Sequence, residues 1–166
     1  GLFVNPDVET VIEIKKQVPL ALLQFHGEET PEHCAEIAQH VGCDFIRAAR
    51  ISETTTAEDL CHLNQQYHQS SPHFKGLLLD THVDQYGGSG KVFDWSVIPK
   101  ELAHQVVLSG GLNAHNVIDA IQQIAPYAVD ISSGVELSKG IKDANKIRQF
   151  VHAVHQSDAL RNKDTQ

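Results

Sequence analysis

Methionine is absent from these 166 residues, tryptophan occurs once and cysteine three times. Cys34, Cys43 and Cys61 form an odd, scattered set with no CxxC pair. That speaks against a disulfide framework or a cysteine-built zinc site and fits a reducing compartment, so the cytoplasm is the expected location. Basic residues are scarce too: 13 Lys+Arg against 21 Asp+Glu leave a formal charge of −8. Neither a phosphate-backbone nucleic-acid binder nor a basic membrane-surface module is expected from such a balance. No apolar run approaches the roughly 20 residues of a membrane span, and no basic-then-apolar leader precedes the first strand-like segment. The chain opens at Gly1, already inside an apolar run, so its first residue is not expected to be a natural translation start.

What is present suffices for one core. Hydrophobic residues make up 41% of the chain, and at this length folding buries about two-thirds of the surface of the unfolded chain. With no linker and no low-complexity tract, residues 1–156 are expected to form one domain. Residues 157–166 lack periodicity and are expected to form a flexible tail.

Short β-branched runs alternate with helical stretches, the signature of βα units on a parallel sheet. Six runs read as buried strands: Leu2–Val4, Ala21–Phe25, Asp44–Ala49, Lys75–Asp80, Val106–Ser109 and Ala128–Ile131. A helix signal follows each. Asn5-Pro6-Asp7 and Thr30-Pro31 pair a capping residue with proline at the expected helix start. Thr56 with Glu58-Asp59, Asp94-Trp95, Asn113 with Asn116, and Asp143 open the others. Inward faces are expected from Val8, Val11, Ile12 and Ile14 in the first helix and Cys34, Ile37, Ala38 and Val41 in the second. The last helix, over 143–155, is expected to bury Ile147, Phe150, Val151 and Val154.

Six units in 166 residues average about 28 residues each, the spacing of a (β/α)8 TIM barrel, whose usual length is nearer 250. An α/β fold carrying about six of eight barrel units is therefore expected, with an open doubly wound sheet as the competing architecture. The loops favour the barrel. A doubly wound nucleotide binder has its glycine turn after the first strand, whereas here glycines cluster after the fourth, fifth and sixth, and phosphate recognition by the last two strand-to-helix loops is a barrel habit.

Asp80 ends the fourth strand, where a partly desolvated carboxylate suits a general acid or, more plainly, orders the loop. Gly87-Gly88-Ser89-Gly90 follows, then Phe93-Asp94-Trp95. Ser109-Gly110-Gly111-Leu112 and Ser132-Ser133-Gly134 are turns where backbone N–H groups can approach an anion, and together they read as a phosphate cradle built without lysine or arginine. His26 closes the second strand. His152 and His155, three apart on one helix, have a spacing open to metal, but a solvated polar face is the plainer reading. The cysteines lie away from strand C-terminal ends and none reads as a nucleophile or base.

Taken in order, Gly1-Leu2-Phe3-Val4-Asn5, Leu23-Gln24-Phe25-His26-Gly27-Glu28, Leu78-Leu79-Asp80-Thr81, Gly87-Gly88-Ser89-Gly90 with Phe93-Asp94-Trp95, Ser109-Gly110-Gly111-Leu112 with Asn116-Val117, and Val129-Asp130-Ile131-Ser132-Ser133-Gly134-Val135-Glu136 with Gly140 and Lys142-Asp143 resemble the phosphoribosylanthranilate isomerases of tryptophan biosynthesis. The resemblance implies a TIM barrel that carries out an Amadori rearrangement of N-(5-phosphoribosyl)anthranilate. An acid protonates the ring oxygen and opens the furanose to a Schiff base; a base then removes the C2 proton, and the enolamine tautomerises to the ketone. Asp80 matches the acid, and His26 and Asp130 match residues near the anthranilate and ribose. Gly110, Gly111, Ser133 and Gly134 match the phosphate loops. No cofactor or metal is implied, since hydrogen moves within the substrate.

The family's base, a cysteine in a Lys-x-Cys-Gly segment, and an arginine after its second strand belong to strands that the resemblance places upstream of Gly1. On this reading the chain is the C-terminal three-quarters of the barrel. Arg47 and Arg50 are not assigned the arginine's role. The implied partners are a small phosphosugar substrate and either a second copy in a homodimer or a fused indole-glycerol-phosphate synthase domain. That synthase is a distant alternative for the chain itself, because its lysine-rich catalytic strands are absent. A further alternative is a catalytically incomplete phosphate-binding or assembly fragment that completes its sheet with another chain.

Overall fold

All six expected strands form, with shifted ends. They are β1 (Leu2–Phe3), β2 (Leu22–Phe25), β3 (Asp44–Ile51), β4 (Phe74–Thr81), β5 (Val107–Leu108) and β6 (Ala128–Val129). The computed structural model describes residues 1–81 and 93–164, without the side chains of 162–164. The Gly87–Gly90 turn therefore lies outside the described residues. The strands pair in the order β1-β2-β3-β4-β5-β6, in parallel, with Leu23 opposite Phe45 and Leu108 opposite Val129. A doubly wound sheet reverses its order at a switch point. This order follows the chain without a reversal, as the barrel reading requires.

The chain divides into two compact units, one of Gly1–Ala49 and Thr56–Leu78, the other of Arg50–Thr55 and Leu79–Gln166. In the first, α1 (Val8–Gln17), α2 (Pro31–Val41) and α3 (Ala57–Ser70) follow the strands. A row of rings runs through the core although aromatics are only 6% of the sequence. Phe3, Phe25, Phe45 and Phe74 come from four successive strands and Tyr67 from α3, with successive ring centroids 5.4–6.5 Å apart. Such tilted and edge contacts contribute about 0.5–1.5 kcal/mol per pair beyond burial. Thr30 caps α2 ahead of Pro31, Gly42 closes it in the left-handed region, and Thr56 with Asp59 forms a full capping box on α3.

One expected start moves. Asp7, not Asn5, caps α1 by accepting from Thr10 N–H at 2.6 Å, so Pro6 precedes the helix. Asn5 instead adopts φ +47° and accepts from the Glu28 N–H at 2.7 Å. A tertiary contact has taken the residue that local sequence offers as a cap. Of the four apolar residues expected to face in from α1, only Val11 is buried. Cys34, Ile37 and Ala38 are buried in α2 as expected, and Val41 only partly.

The second unit holds a short 3-10 turn (Trp95–Val97), α4 (Lys100–Ala103), α5 (Val117–Ile124) and α6 (Ala144–Asp164), and an antiparallel hairpin of β7 (Glu136–Ser138) and β8 (Ile141–Lys142). Asp143 caps α6 through the N–H groups of Asn145 and Lys146. The helix runs to Asp164 rather than ending near His155, because Ala159, Leu160, Arg161 and Lys163 all favour helix. Its buried stripe also differs from the expected one: Phe150, Ala153 and Ser157 are buried, while Ile147 and Val151 are exposed. α6 packs on α5. His152 and His155 lie on the exposed face. Among the described residues no helix is long and apolar enough to cross a membrane.

None of the three cysteines is in a disulfide. Burial pushes the Cys34 thiol up to about 12, against a smaller opposing pull from Arg47. Only the thiolate alkylates, so iodoacetamide at pH 8 is expected to leave Cys34 unmodified in the folded protein and to label it after unfolding in urea. Prompt labelling of Cys34 by peptide mass spectrometry under native conditions would contradict that burial.

Candidate active site

Asp80 sits half-buried near the C-terminal end of β4, after the buried Leu77, Leu78 and Leu79. Hydrophobic side chains on both faces are what a parallel sheet under helices demands, and Asp80 is the first residue at which that demand relaxes. The Ser109 N–H donates to Leu79 O at 2.8 Å, and the Asp130 N–H donates to Leu108 O at 2.8 Å. These bonds carry the ladder past the ends of β5 and β6. They bring Asp80, Ser109 and Asp130 to one end of three adjacent strands. The buried Ser109 hydroxyl donates to Asp130 Oδ2 at 3.0 Å, fixing one oxygen of an otherwise exposed carboxylate.

Close backbone approach explains the glycines. Gly110 has φ +79°, and a Cβ there would overlap the Thr81 backbone nitrogen and Oγ1. A Cβ on Gly134 would overlap Leu112 O and lie 2.9 Å from Ile131 Cδ1. Each turn is thus packed on its neighbour, and only hydrogen at Cα leaves room. The Gly110–Gly111 turn is held by Asn116, whose Oδ1 accepts from the Asn113 N–H at 2.8 Å and whose Nδ2 donates to Gly111 O at 3.1 Å. Among the described residues no hydrogen-bond acceptor is found for the N–H groups of Gly110, Gly111, Ser133 and Gly134. The Thr81 hydroxyl and the Trp95 indole N–H are likewise buried without a described partner.

A lysine also reaches the turn after β6, by bonding its backbone and side-chain oxygens. The β7–β8 hairpin turns at Gly140, with φ +80°, and folds Lys142 back onto the turn after β6. Lys142 Nζ donates to Ser132 O at 2.8 Å, to Ser132 Oγ at 3.1 Å and to Glu136 Oε1 at 2.8 Å. The Lys142 ammonium, with the Gly140 N–H, holds the Glu136 carboxyl below the usual glutamate range. A depressed folded pKa makes this pair's contribution fully present above the ordinary value of 4.5 and lost as pH falls through the folded value. The sequence signal for this contact is two opposite charges flanking a glycine turn.

His26 lies in the first unit, just past β2, with its N–H donated to Phe3 O at 2.9 Å and its ring Nδ1 3.0 Å from Gln24 Nε2. Beside it is a buried polar cluster of Glu29, Arg47 and Tyr67. Tyr67 and Glu29 gave no signal in the sequence, because polar residues at such positions ordinarily read as surface. Arg47 is consumed by structural bonds: Nε donates to Tyr67 Oη at 2.8 Å, Nη1 to Ala48 O at 2.6 Å and Nη2 to Gly27 O at 2.7 Å.

The model of the N-(5'-phosphoribosyl)anthranilate isomerase family matches residues 1–153. The chain belongs to that family. An N-(5'-phosphoribosyl)anthranilate isomerase of Herminiimonas arsenicoxydans is 58% identical over 159 residues, covering 96% of this chain and 70% of that protein. Among solved structures, the phosphoribosyl anthranilate isomerase of Thermotoga maritima superposes with a TM-score of 0.76 at 38% identity, covering 94% of this chain and 72% of that one. A phosphoribosyl anthranilate isomerase in complex with reduced 1-(o-carboxyphenylamino)-1-deoxyribulose 5-phosphate superposes with a TM-score of 0.72 at 34% identity, covering 94% and 70%. These family structures are of the TIM-barrel type, which agrees with the chain-ordered parallel sheet.

Proposed function

We propose that this isomerase of tryptophan biosynthesis uses Asp80 as its general acid and the two glycine turns as its phosphate cradle. The observation that carries the proposal is the meeting of Asp80, the Gly110 turn and Asp130 at the ends of β4, β5 and β6. N-(5-Phosphoribosyl)anthranilate enters with its phosphate against the N–H groups of Gly110, Gly111, Ser133 and Gly134, where preorganised donors need no reorganisation. Asp80 protonates the furanose ring oxygen, the C1–O bond opens, and an iminium forms at C1. Loss of the C2 proton to a base then gives an enolamine, which tautomerises to the 1-deoxyribulose ketone. No residue of this chain is assigned that base.

Asp130, oriented by Ser109, contributes negative charge near the cationic imine. His26 is assigned to substrate on its motif and its place at a strand end. The cytoplasm is the proposed location, since the three cysteines stand outside disulfides. The test is turnover of the fluorescent substrate by the full-length protein. No loss of anthranilate fluorescence at micromolar enzyme would reject the proposal.

Lys142 supports the cradle by holding the Ser132 peptide group. Lys142→Met is expected to raise KM, and the inhibition constant of inorganic phosphate, about three- to tenfold with kcat within twofold, a loss of order 1 kcal/mol in binding. Equal KM values for the two proteins would remove Lys142 from the site.

A further inference from the structure

Glu29, Arg47 and Tyr67 form a buried ionic cluster beside the C-terminal end of β2 and the middle of β3 that the proposed chemistry does not use. The Glu29 side chain is 0% exposed and that of Arg47 11%. Burying a carboxylate is costly unless its charge is met. Here it is met mostly by main chain: Oε1 accepts from the Asn5 N–H at 2.7 Å and Oε2 from the Gly27 N–H at 2.9 Å, while Arg47 Nη1 stands 3.8 Å away. Arg47 donates to carbonyls on both sides of His26, Phe25 O through Nη1 at 3.2 Å and Gly27 O through Nη2 at 2.7 Å. Tyr67, which accepts from Arg47 Nε at 2.8 Å, donates to Glu29 O at 2.8 Å and closes the cluster.

The consequence falls on His26. The carbonyl before it, both polar groups of Gly27 after it and its own N–H are each held by a named partner. The ring is addressed separately. The Gln24 amide nitrogen can only donate, so in this contact Nδ1 accepts and Nε2 is the ring nitrogen left to carry an N–H. We infer that Glu29 and Arg47 are positioning residues that lock the main chain around His26, so that its imidazole presents an Nε2–H donor in one fixed orientation. This rests on the assignment of His26 to substrate. Apolar residues of similar volume would fill the same space at no loss of stability. What an ionic cluster adds is a set of directed bonds to particular peptide groups, and those groups flank one side chain.

The test is a double-mutant cycle in the full-length protein, with kcat/KM measured for wild type, E29Q, H26Q and the pair. Glu29→Gln keeps shape and removes charge. It is expected to lower kcat/KM about tenfold with His26 present and less than twofold in the H26Q background. Side-chain nitrogen shifts of His26 are expected to report the Nε2–H tautomer in the wild type and a tautomer mixture in E29Q. If E29Q lowers kcat/KM by the same factor in both backgrounds, or only lowers Tm, the positioning role is overturned while His26 keeps its assignment. Wild-type kcat/KM in H26Q overturns the assignment of His26 itself. Should E29Q fail to fold, Arg47→Lys enters the same cycle, since lysine keeps the charge but cannot span the Phe25 and Gly27 carbonyls.

Discussion

Replacing Asp80 with asparagine is expected to lower kcat about 10²–10⁴-fold, the usual contribution of a positioned general acid, with KM within threefold and the fold intact. The amide keeps the shape of the carboxyl and can still donate a hydrogen bond. It has no acidic proton to give, so furanose opening would depend on water. On the transition-state scale the loss is about 3–5 kcal/mol, all of it in a step that follows binding. Asp130→Asn is the informative companion. Asp130 takes its hydrogen bond from Ser109 and stands exposed at the next strand end but one, so its loss is expected to weaken substrate affinity more than the proton step. Stopped-flow measurement of fluorescence decay separates the two effects. If D80N turned over within tenfold of wild type, the acid would have to be another residue.

Gly110→Ala is expected to be the most damaging change to stability and phosphate binding together. Gly140 supplies its control, because its φ of +80° matches the +79° of Gly110 but nothing lies within 4 Å of its Cβ position. An alanine at Gly140 meets only the cost of the left-handed region, about 1 kcal/mol. At Gly110 the same cost adds to overlap with the Thr81 backbone, and backbone cannot yield as a side-chain tip can. That overlap is expected to add about 1–3 kcal/mol, so Tm should fall by roughly 5–15 °C in G110A and by no more than about 4 °C in G140A. G110A should also lose affinity for inorganic phosphate, since the turn can relieve the overlap only by moving its N–H groups away from β4. Equal Tm values for the two variants would show that close approach does not explain the Gly110 turn.

The parts of this molecule legible in its sequence are those set by neighbours along the chain. Buried strands such as Leu77–Leu79 announce themselves by apolar continuity, and Thr30-Pro31 and Thr56 with Asp59 announce helix starts by local hydrogen-bond chemistry. The glycines at 110 and 134 were legible as turns, though not the neighbours they touch. Asn5 does not cap α1 because its side chain is claimed by the Glu28 N–H, far along the chain, and no local rule carries that information. The inward face of α6 also differs from the one its hydrophobic pattern predicts. Hydrophobicity singles out Ile147 and Val151, whereas the folded chain buries Phe150, Ala153 and Ser157.

By itself, then, the sequence determined the α/β alternation, the six strands, the positions of Asp80, Asp130 and the glycine turns, and the family whose motifs they carry. Tertiary structure alone decided that the strands pair in chain order, that Lys142 folds back onto Ser132, and that Glu29, Arg47 and Tyr67 are inside rather than on the surface. The physical reason is one of range. Propensity, capping and turn chemistry act over a few residues, but a buried charge is tolerated only when distant backbone groups arrive to hydrogen-bond it, and folding alone brings them there.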